Sequence, residues 1–531
     1  MLRAGFVALV ALLAGCRSEA RKPPAIERER VVALVATAEV KGTTEPCGCN
    51  SDPLGDVARV ATLARGGLWL DAGSLMYDEV PAGSASRAQS DFKGAALATI
   101  YQDADVGLGI DDLRRTPGEV KPARQAANVE GGVKTAAPRV RTIEGVRVGV
   151  FGVVTPKRVA PLKAGDPVAA AKAAVAKLKG EGAQVIVALL GMSRDEGRAL
   201  MVAAGGIGFG ILGADVGEGM PEAEPVNGGF LVAPADQGRR VVRIELHVIG
   251  GAVALAPFAG EAARKVSIER LTRKIGNLSL QLAGWQSDRS ADKAFVAARE
   301  QELVTLRADK ARLEQERPTP PPTSYFTYQL QPVRRAVARD EQVAAQLRQL
   351  DRAIGTSNYE AAKKIPPPAP EDGKPTYVGM AACQKCHKPA IEFWKHTVHA
   401  SAWKTLVAVD KQYNYDCTAC HVTGWYKPGG SNLGSVEASH LVDVQCEVCH
   451  GPGSKHVAEA GLDDPKTLTV APAPGFCADN CHTKEHSDTF QLEPYLRDIL
   501  GKGHGDQRRK ALGDGVTGHE LRQKALQTAG R

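Results

Sequence analysis

Four short segments hold most of the chain's reactive side chains: CQKCH (383–387), CTACH (417–421), CEVCH (446–450) and CADNCH (477–482). In the first three, two thiols separated by two residues can add to the two vinyl groups of one haem. The histidine that follows then reaches the iron as proximal ligand. This reading assigns Cys383, Cys386, Cys417, Cys420, Cys446 and Cys449 to thioether links, and His387, His421 and His450 to iron. The fourth segment has one extra residue between Cys477 and Cys481 before His482, and reads as a fourth site of departing spacing. Zinc ribbons also use paired cysteines, but they have no need of a histidine after each second one. Four covalently bound haem c groups are therefore expected.

Of twelve histidines only His247 precedes residue 380. Besides the four proximal ones, His396, His399, His440, His456, His486 and His504 are available for the opposite faces of the irons. A lone histidine is more often a surface or core residue, but six within reach of four haems shift that balance, and three or four are expected to bind. Bis-imidazole ligation suits electron transfer, because a six-coordinate iron changes charge without exchanging ligands. An iron without a sixth protein ligand could bind a small molecule.

A further thiol pair, Cys47 and Cys49, ends the stretch ATAEVKGTTEPCGC (36–49), just after the strand-like run VVALV. A structural disulfide or two buried thiols would be the plain explanation. A bridge across one intervening residue closes a small strained ring, more easily reduced than a structural one. The expectation is a redox-active thiol pair that exchanges electrons with the haems or with a partner's thiols.

The N-terminus reads as a targeting segment: Arg3, then FVALVALLAG, about ten apolar residues and so too short to span a bilayer. Leu13-Ala14-Gly15-Cys16 resembles a bacterial lipobox, which implies cleavage before Cys16 and lipidation of its thiol; the alternative is a plain secretory leader. Either places the mature protein in the cell envelope, periplasm-facing or extracellular, and a lipid would anchor it to the membrane surface.

The elements that must position these groups fall into separate stretches. At 531 residues the chain is too long for one core. A net charge of +7 without a basic stripe or interleaved aromatics gives no reason to expect nucleic acid as a partner. VVALV (31–35), VRVGVFGVV (146–154), VIVALL (185–190), FGIL (209–212) and VVRIELHVI (241–249) read as strands, and 169–183 as a helix between two of them, which gives a layered α/β domain over 31–260. Ile268, Leu271, Ile275, Leu278, Leu282 and Trp285, then Val296, Leu303, Leu306 and Leu313, form the stripe of a long helix over 261–317, a coiled-coil seam or a face lying on a neighbour. RPTPPP (317–322) stops it. A Pro-rich connector with a short helix (340–354) fills 318–375, and the haem-binding segment occupies 376–531 behind a leader (1–16) and a tether (17–30).

The C-terminal third resembles the nitrifier-type tetrahaem cytochrome c family. The resemblance rests on YVGMAACQKCHKPAIEFWKHTVHASAW, CTACHVTGW, VQCEVCHGPGSKH, FCADNCHTKEHS and FQLEPYLRDILGKGHG. It implies a mostly α domain with little regular strand, haems packed closely as a relay, and distal ligands at His399, His456 and His504. His440 is our choice for the fourth, ahead of His396 and His486. One iron can be left open in that family. Trp394, Trp403 and Trp425 are expected on porphyrin faces or in the core.

Residues 31 to about 250 resemble the catalytic domain of periplasmic 5′-nucleotidases, calcineurin-like metallophosphoesterases, through VARVATLA (57–64), LWLDAGS (68–74), RVGVFGVVTP (147–156), AQVIVALLG (183–191), GILGAD (210–215) and VAPADQGRRVVRIEL (232–246). That implies a four-layered α-β-β-α sandwich with two metals at the strand ends. The ligand positions have changed: Glu39 and Lys41 stand for the opening Asp and His, Ser74 for the bridging Asp, Ile110 and Asp111 after Gly109 for the Asn-His pair, and Gly191, Ala214 and Val216 for later histidines. Two carboxylates, Glu39 and Asp111, among eight such positions cannot hold two divalent ions. A group of nucleotidase-like redox proteins with the same EPCGC loop supports the thiol reading. The expected function is electron transfer by an extracytoplasmic multihaem cytochrome whose degenerate nucleotidase-like domain is a docking or thiol-redox module. Redox proteins or quinol-linked membrane complexes would be its partners. An oxidoreductase acting on a small nitrogen, sulfur or oxygen compound at an open haem is the first alternative, and a metal-dependent phosphoester hydrolase the second.

Overall fold

A computed structural model describes residues 29–46, 48–79, 86–115, 120–287, 292–462, 466–473, 475–483 and 485–529. Cys16 and Cys47 lie outside the described residues. The strands foreseen from apolar runs form, Val146–Val154 and Phe209–Leu212 with the expected bounds and Arg30–Thr37, Val185–Gly191 and Arg240–Val248 with bounds shifted by a residue or two. They belong to two sheets. One has seven strands, with Arg30–Thr37 between antiparallel Arg240–Val248 and parallel Leu68–Asp71; the other has six, with Val185–Gly191 between parallel Val146–Val154 and Phe209–Leu212. Every residue of Val185–Gly191 is buried, as a parallel strand covered on both faces must be. The main core, including Leu34, Leu70, Val150, Phe151, Leu189 and Ile244, lies between the sheets.

Two expectations are corrected. The single long helix over 261–317 is two helices, Glu261–Ser287 and Lys293–Gln315. The seam residues Leu271, Ile275, Leu278 and Leu282 pack on Val296, Leu303 and Leu306, so the stripe closes on itself as a helical hairpin. Asp292 restarts the second helix by accepting a hydrogen bond from the Phe295 N–H at 2.8 Å. The connector is more than a spacer: Tyr325–Pro332 adds an edge strand to the seven-stranded sheet, antiparallel to Arg240–Val248. Its prolines hid a strand whose aromatic start, Tyr325 and Phe326, is buried. The helix Glu341–Ala362 then packs Ala344, Leu347, Leu350 and Ile354 against the first domain's Leu97 and Tyr101.

Beyond residue 376 the described residues form short helices, with only isolated bridges such as Val422 to Val442 and Gly501 to His504. The two halves meet across polar contacts. Gln89 of the first domain donates to Asn414 at 3.0 Å and accepts from Asn358 of the connector at 2.9 Å, all three being buried, and Lys93 pairs with Asp416 at 2.6 Å. Buried amides with their partners in place fix one orientation of the two surfaces, because slippage would strand donors away from water. Among the described residues no helix is long and apolar enough to cross a membrane.

Candidate haem sites

Each motif sits on a helical turn that aims its histidine. The helix Met380–Trp394 carries Cys383, Cys386 and His387, and leaves helical geometry at His387 (φ −111°, ψ 33°), just ahead of Pro389. The third motif is itself the helix Cys446–His450. His387 faces His456, with ring centres 6.2 Å apart and planes at 28°. His482 faces His399 at 6.2 Å and 44°, and His450 faces His504 at 6.1 Å and 82°. Two metal–imidazole bonds of about 2 Å, with the ring dimensions added, put the ring centres about 6 Å apart. The three pairs therefore leave the separation that one iron between two imidazoles requires.

The second ring nitrogens are also committed. His450 Nδ1 is 2.7 Å from the Thr469 carbonyl, His504 Nδ1 is 2.7 Å from that of Ile499, His421 Nδ1 is 2.6 Å from that of Ala402, and His482 Nδ1 is 3.1 Å from Ser487 Oγ. A carbonyl can only accept, so Nδ1 carries a proton in the first three and Nε2 is the nitrogen left to ligate. Burial, with His482 and His421 as neighbours, pushes His399 down to about 4, which holds this ring neutral. His421 belongs to none of these facing pairs. His440, expected as the fourth distal ligand, is exposed on a left-handed turn (φ 55°) and its recorded contacts are through its backbone. His396 is exposed, and His486 Nδ1 turns back to Thr483 Oγ1 at 2.8 Å. Trp403 lies in a small core cluster with Val422 and Val436, against which Trp425 packs, while Trp394 donates to the Val444 carbonyl at 2.9 Å.

The motif sulfurs, standing here as thiols where thioethers would be, are neighbours across motifs. Cys383 meets Cys446, and Cys481 meets Cys420, each pair in hydrogen-bond contact; Cys449 and Cys477 lie within electrostatic range. The attachment points are thus contiguous in the order first, third, fourth, second.

Sequence reasoning missed Glu447, between the cysteines of the third motif. Its buried carboxylate accepts the N–H of Val378 (3.0 Å), Gly379 (2.7 Å) and Gly453 (2.7 Å), while Gln445 accepts that of Met380 (2.7 Å). The third motif thereby supplies acceptors for the open N–H groups at the start of the first motif's helix. A lone Glu between two cysteines has no pattern that could announce this.

In the first domain, the strand-end cleft is filled by protein charges. Glu39, Lys41, Ser74 and Asp215 hold left-handed conformations (φ 47°, 49°, 57° and 57°), and a Cβ at Gly109 would meet Ser74 N at 2.2 Å. Lys41 Nζ lies 3.0 Å from Glu39 Oε1, and Glu39 also accepts the Val216 N–H at 2.9 Å. Burial alone would lower Lys41, but the Glu39 hydrogen bond, with Asp111 and Asp236 nearby, holds it above the ordinary lysine value. Asp112 takes the N–H groups of Ser74 and Leu75 and pairs with Arg124 at 2.9 Å, both side chains fully buried. Gly191, Ala214 and Val216 supply no metal-binding side chain, and among the described residues no group of three or more His, Cys, Asp or Glu could hold a metal ion.

Asp71, at the end of its strand, is pushed up to about 7 by burial, against the Thr37 hydroxyl and Gly73 N–H that stabilise its charge. Its folded value lies above the unfolded one. Between about pH 4 and 7 the native state holds a proton that the unfolded chain has released, so stability is lost as pH rises through that window. We expect Asp71→Asn to flatten this dependence and to raise the unfolding midpoint of the domain at pH 8, measured by urea titration from pH 4 to 8.

The architecture is thus two-part: a layered α/β domain and a helical segment that carries the CxxCH-type motifs. Residues 382–451 match the family model described as cytochrome c554 and c-prime. The cytochrome c-554 of Nitrosomonas europaea is 35% identical over 92 residues, 14% of this chain and 39% of that protein, so the match spans about two-fifths of the relative's length. For the whole fold, a 5′-nucleotidase precursor from Thermus thermophilus is similar over 66% of this chain and 61% of its own (16% identity, TM-score 0.40). The calcineurin-like phosphoesterase YfkN from Bacillus subtilis is similar over 43% and 89% (21% identity, TM-score 0.34). The C-terminal third resembles cytochrome c554, whose kind carries covalently bound haem c.

Proposed function

We propose that the protein is an extracytoplasmic electron carrier with four haem c groups, three of them held between paired histidines and the one at His421 having a single protein axial ligand. The observation that carries this reading is the trio of imidazole pairs at 6.1–6.2 Å. Bound haem c supplies one-electron redox chemistry at each site. The chain's own part is to hold neutral imidazoles at fixed separation, so that no ligand need move as the charge changes, and to keep the four attachment points contiguous. Redox proteins or quinol-linked complexes are the proposed partners, with Cys16 as lipid anchor and Cys47 with Cys49 as an accessory thiol pair. The lone His421 favours a second reading, a small-molecule oxidoreductase at that site. His440 is not part of the proposal.

Pyridine haemochrome assay with electron paramagnetic resonance tests both. The expected result is four haems per chain, three low-spin and one high-spin; four low-spin signals would remove the open site, and no Soret band would remove the whole reading. Alkylation gel shifts across the haem potentials test the thiols: a pair that is never oxidised has no redox role. Addition of manganese or zinc should release no phosphate from nucleotides, since Lys41 and Arg124 occupy the cleft as fixed cations.

A further inference from the structure

The loop that follows the first strand is clamped against the haem segment at both ends. On one side, Asn50 donates to the Glu485 carbonyl at 2.6 Å, Ser51 bonds Asp488 through its N–H (3.1 Å) and hydroxyl, and Arg522 reaches both Asn50 O (3.2 Å) and Asp488 (3.3 Å). On the other, Glu45 is shared between Lys411, at 2.7 Å, and Arg339 of the connector. Lys411 also lies 3.4 Å from Asp351, and Arg339 3.0 Å from Asp56. The central pair is largely buried, Lys411 being 24% and Glu45 17% exposed.

Lys411 is fixed relative to the second motif. The Asn414 N–H bonds the Lys411 carbonyl at 3.1 Å, the Cys417 N–H bonds that of Asn414 at 3.0 Å, and the Thr418 hydroxyl bonds the Gln412 carbonyl at 3.0 Å. One short, internally bonded turn therefore runs from the ammonium group to the first attachment cysteine of the His421 site. Charge and burial are among the levers by which a protein sets a haem's potential, and a partly desolvated charge is poorly screened.

We propose that Glu45 and Lys411 couple the two domains electrostatically, so that a carboxylate of the nucleotidase-like domain sets the reduction potential of the haem attached through Cys417 and Cys420. The inference rests on the haem reading above and gives the first domain a function in it: its loop delivers one negative charge to the redox segment at a fixed place. Reduction adds an electron to the iron, so a neighbouring positive charge favours the reduced form and a negative one opposes it. Lys411→Met leaves Glu45 and Asp351 without that cation and should lower the potential. Glu45→Gln leaves Lys411 with one counter-charge fewer and should raise it, and the double variant should return close to the parent.

The test is spectroelectrochemical titration of the four-haem protein, following the high-spin signal of the His421 site. Each single variant should shift its reduction equilibrium roughly tenfold, about 59 mV for one electron, in opposite directions. If Lys411→Met yields no holoprotein, Glu45→Gln and Asp351→Asn carry the test, and both should raise the potential. Unmoved potentials, or shifts of one sign in the opposed pair, overturn the coupling. Failure of the haem reading would show separately, as a wrong haem count in the parent. Failure of the open-site reading would show as the loss of the high-spin signal, in which case the opposed shifts are sought in whichever of the four titrations moves.

Discussion

His399→Ala should add one haem that takes up carbon monoxide, while His440→Ala should add none. In the parent only the site at His421 is expected to bind the gas, because among the described residues its imidazole belongs to none of the facing pairs. His399 lies 6.2 Å from His482, ring centre to ring centre, and burial keeps it in the neutral form that ligates iron. Alanine removes that ring and leaves His482 as the lone protein ligand, so the low-spin signal of this site should become high-spin and the reduced protein should bind a further equivalent of carbon monoxide. His440 sits exposed on its turn with its backbone engaged, so its loss should leave the spectra unchanged. His399 also neighbours His421. If it served the second motif, the open site of the parent would be the one at His482 instead, and the parent would still bind one equivalent of gas. A reversed outcome, with His440→Ala opening a site, would reinstate the ligand chosen from position alone.

That contrast shows what the sequence could and could not convey. The motif cysteines and the histidines after them stand out as candidate haem sites because thioether chemistry imposes a local spacing, and local spacing is what a sequence displays. Buried strands were legible for the same reason: an unbroken apolar run such as VIVALL has few other places to go. The rings that face the motif histidines come from helices and loops dozens of residues away. His399, His456 and His504 could be named only through family likeness, while nearness in sequence to a motif, the ground on which His440 was chosen, says nothing about where a left-handed turn points its side chain. The edge strand Tyr325–Pro332 was obscured by the prolines on either side, and the helical hairpin by a stripe whose phase continues from one helix to the next. The changed residues at the metal-ligand positions are visible in the sequence. What stands in the cleft, an ammonium and a buried guanidinium among carboxylates, needed three dimensions.

Glu447→Ala should cost the haem segment roughly 3–5 kcal/mol, because each buried N–H deprived of a charged acceptor loses about 1–3 kcal/mol. Three such donors, Val378, Gly379 and Gly453, depend on the one carboxylate, whose residue is only 3% exposed. Both Glu447 oxygens accept hydrogen bonds, and Val378 N–H reaches either, so Glu447→Gln must turn its amide hydrogens toward a donor in one orientation or the other. The isosteric change should therefore rescue only part of the loss. Glu447→Asp withdraws the carboxylate by one methylene and should resemble alanine more closely. The consequence reaches function through geometry: Val378 and Gly379 lead into the helix that presents Cys383 and His387, while Gly453 leads into the one that presents His456. Glu447 thus ties together the two halves of one facing pair, and the loss should appear both as a fall in the thermal midpoint of roughly 10 °C or more and as a weakened low-spin signal from the first site. A variant that melts with the parent and keeps all three low-spin signals would show that this carboxylate does not organise the segment.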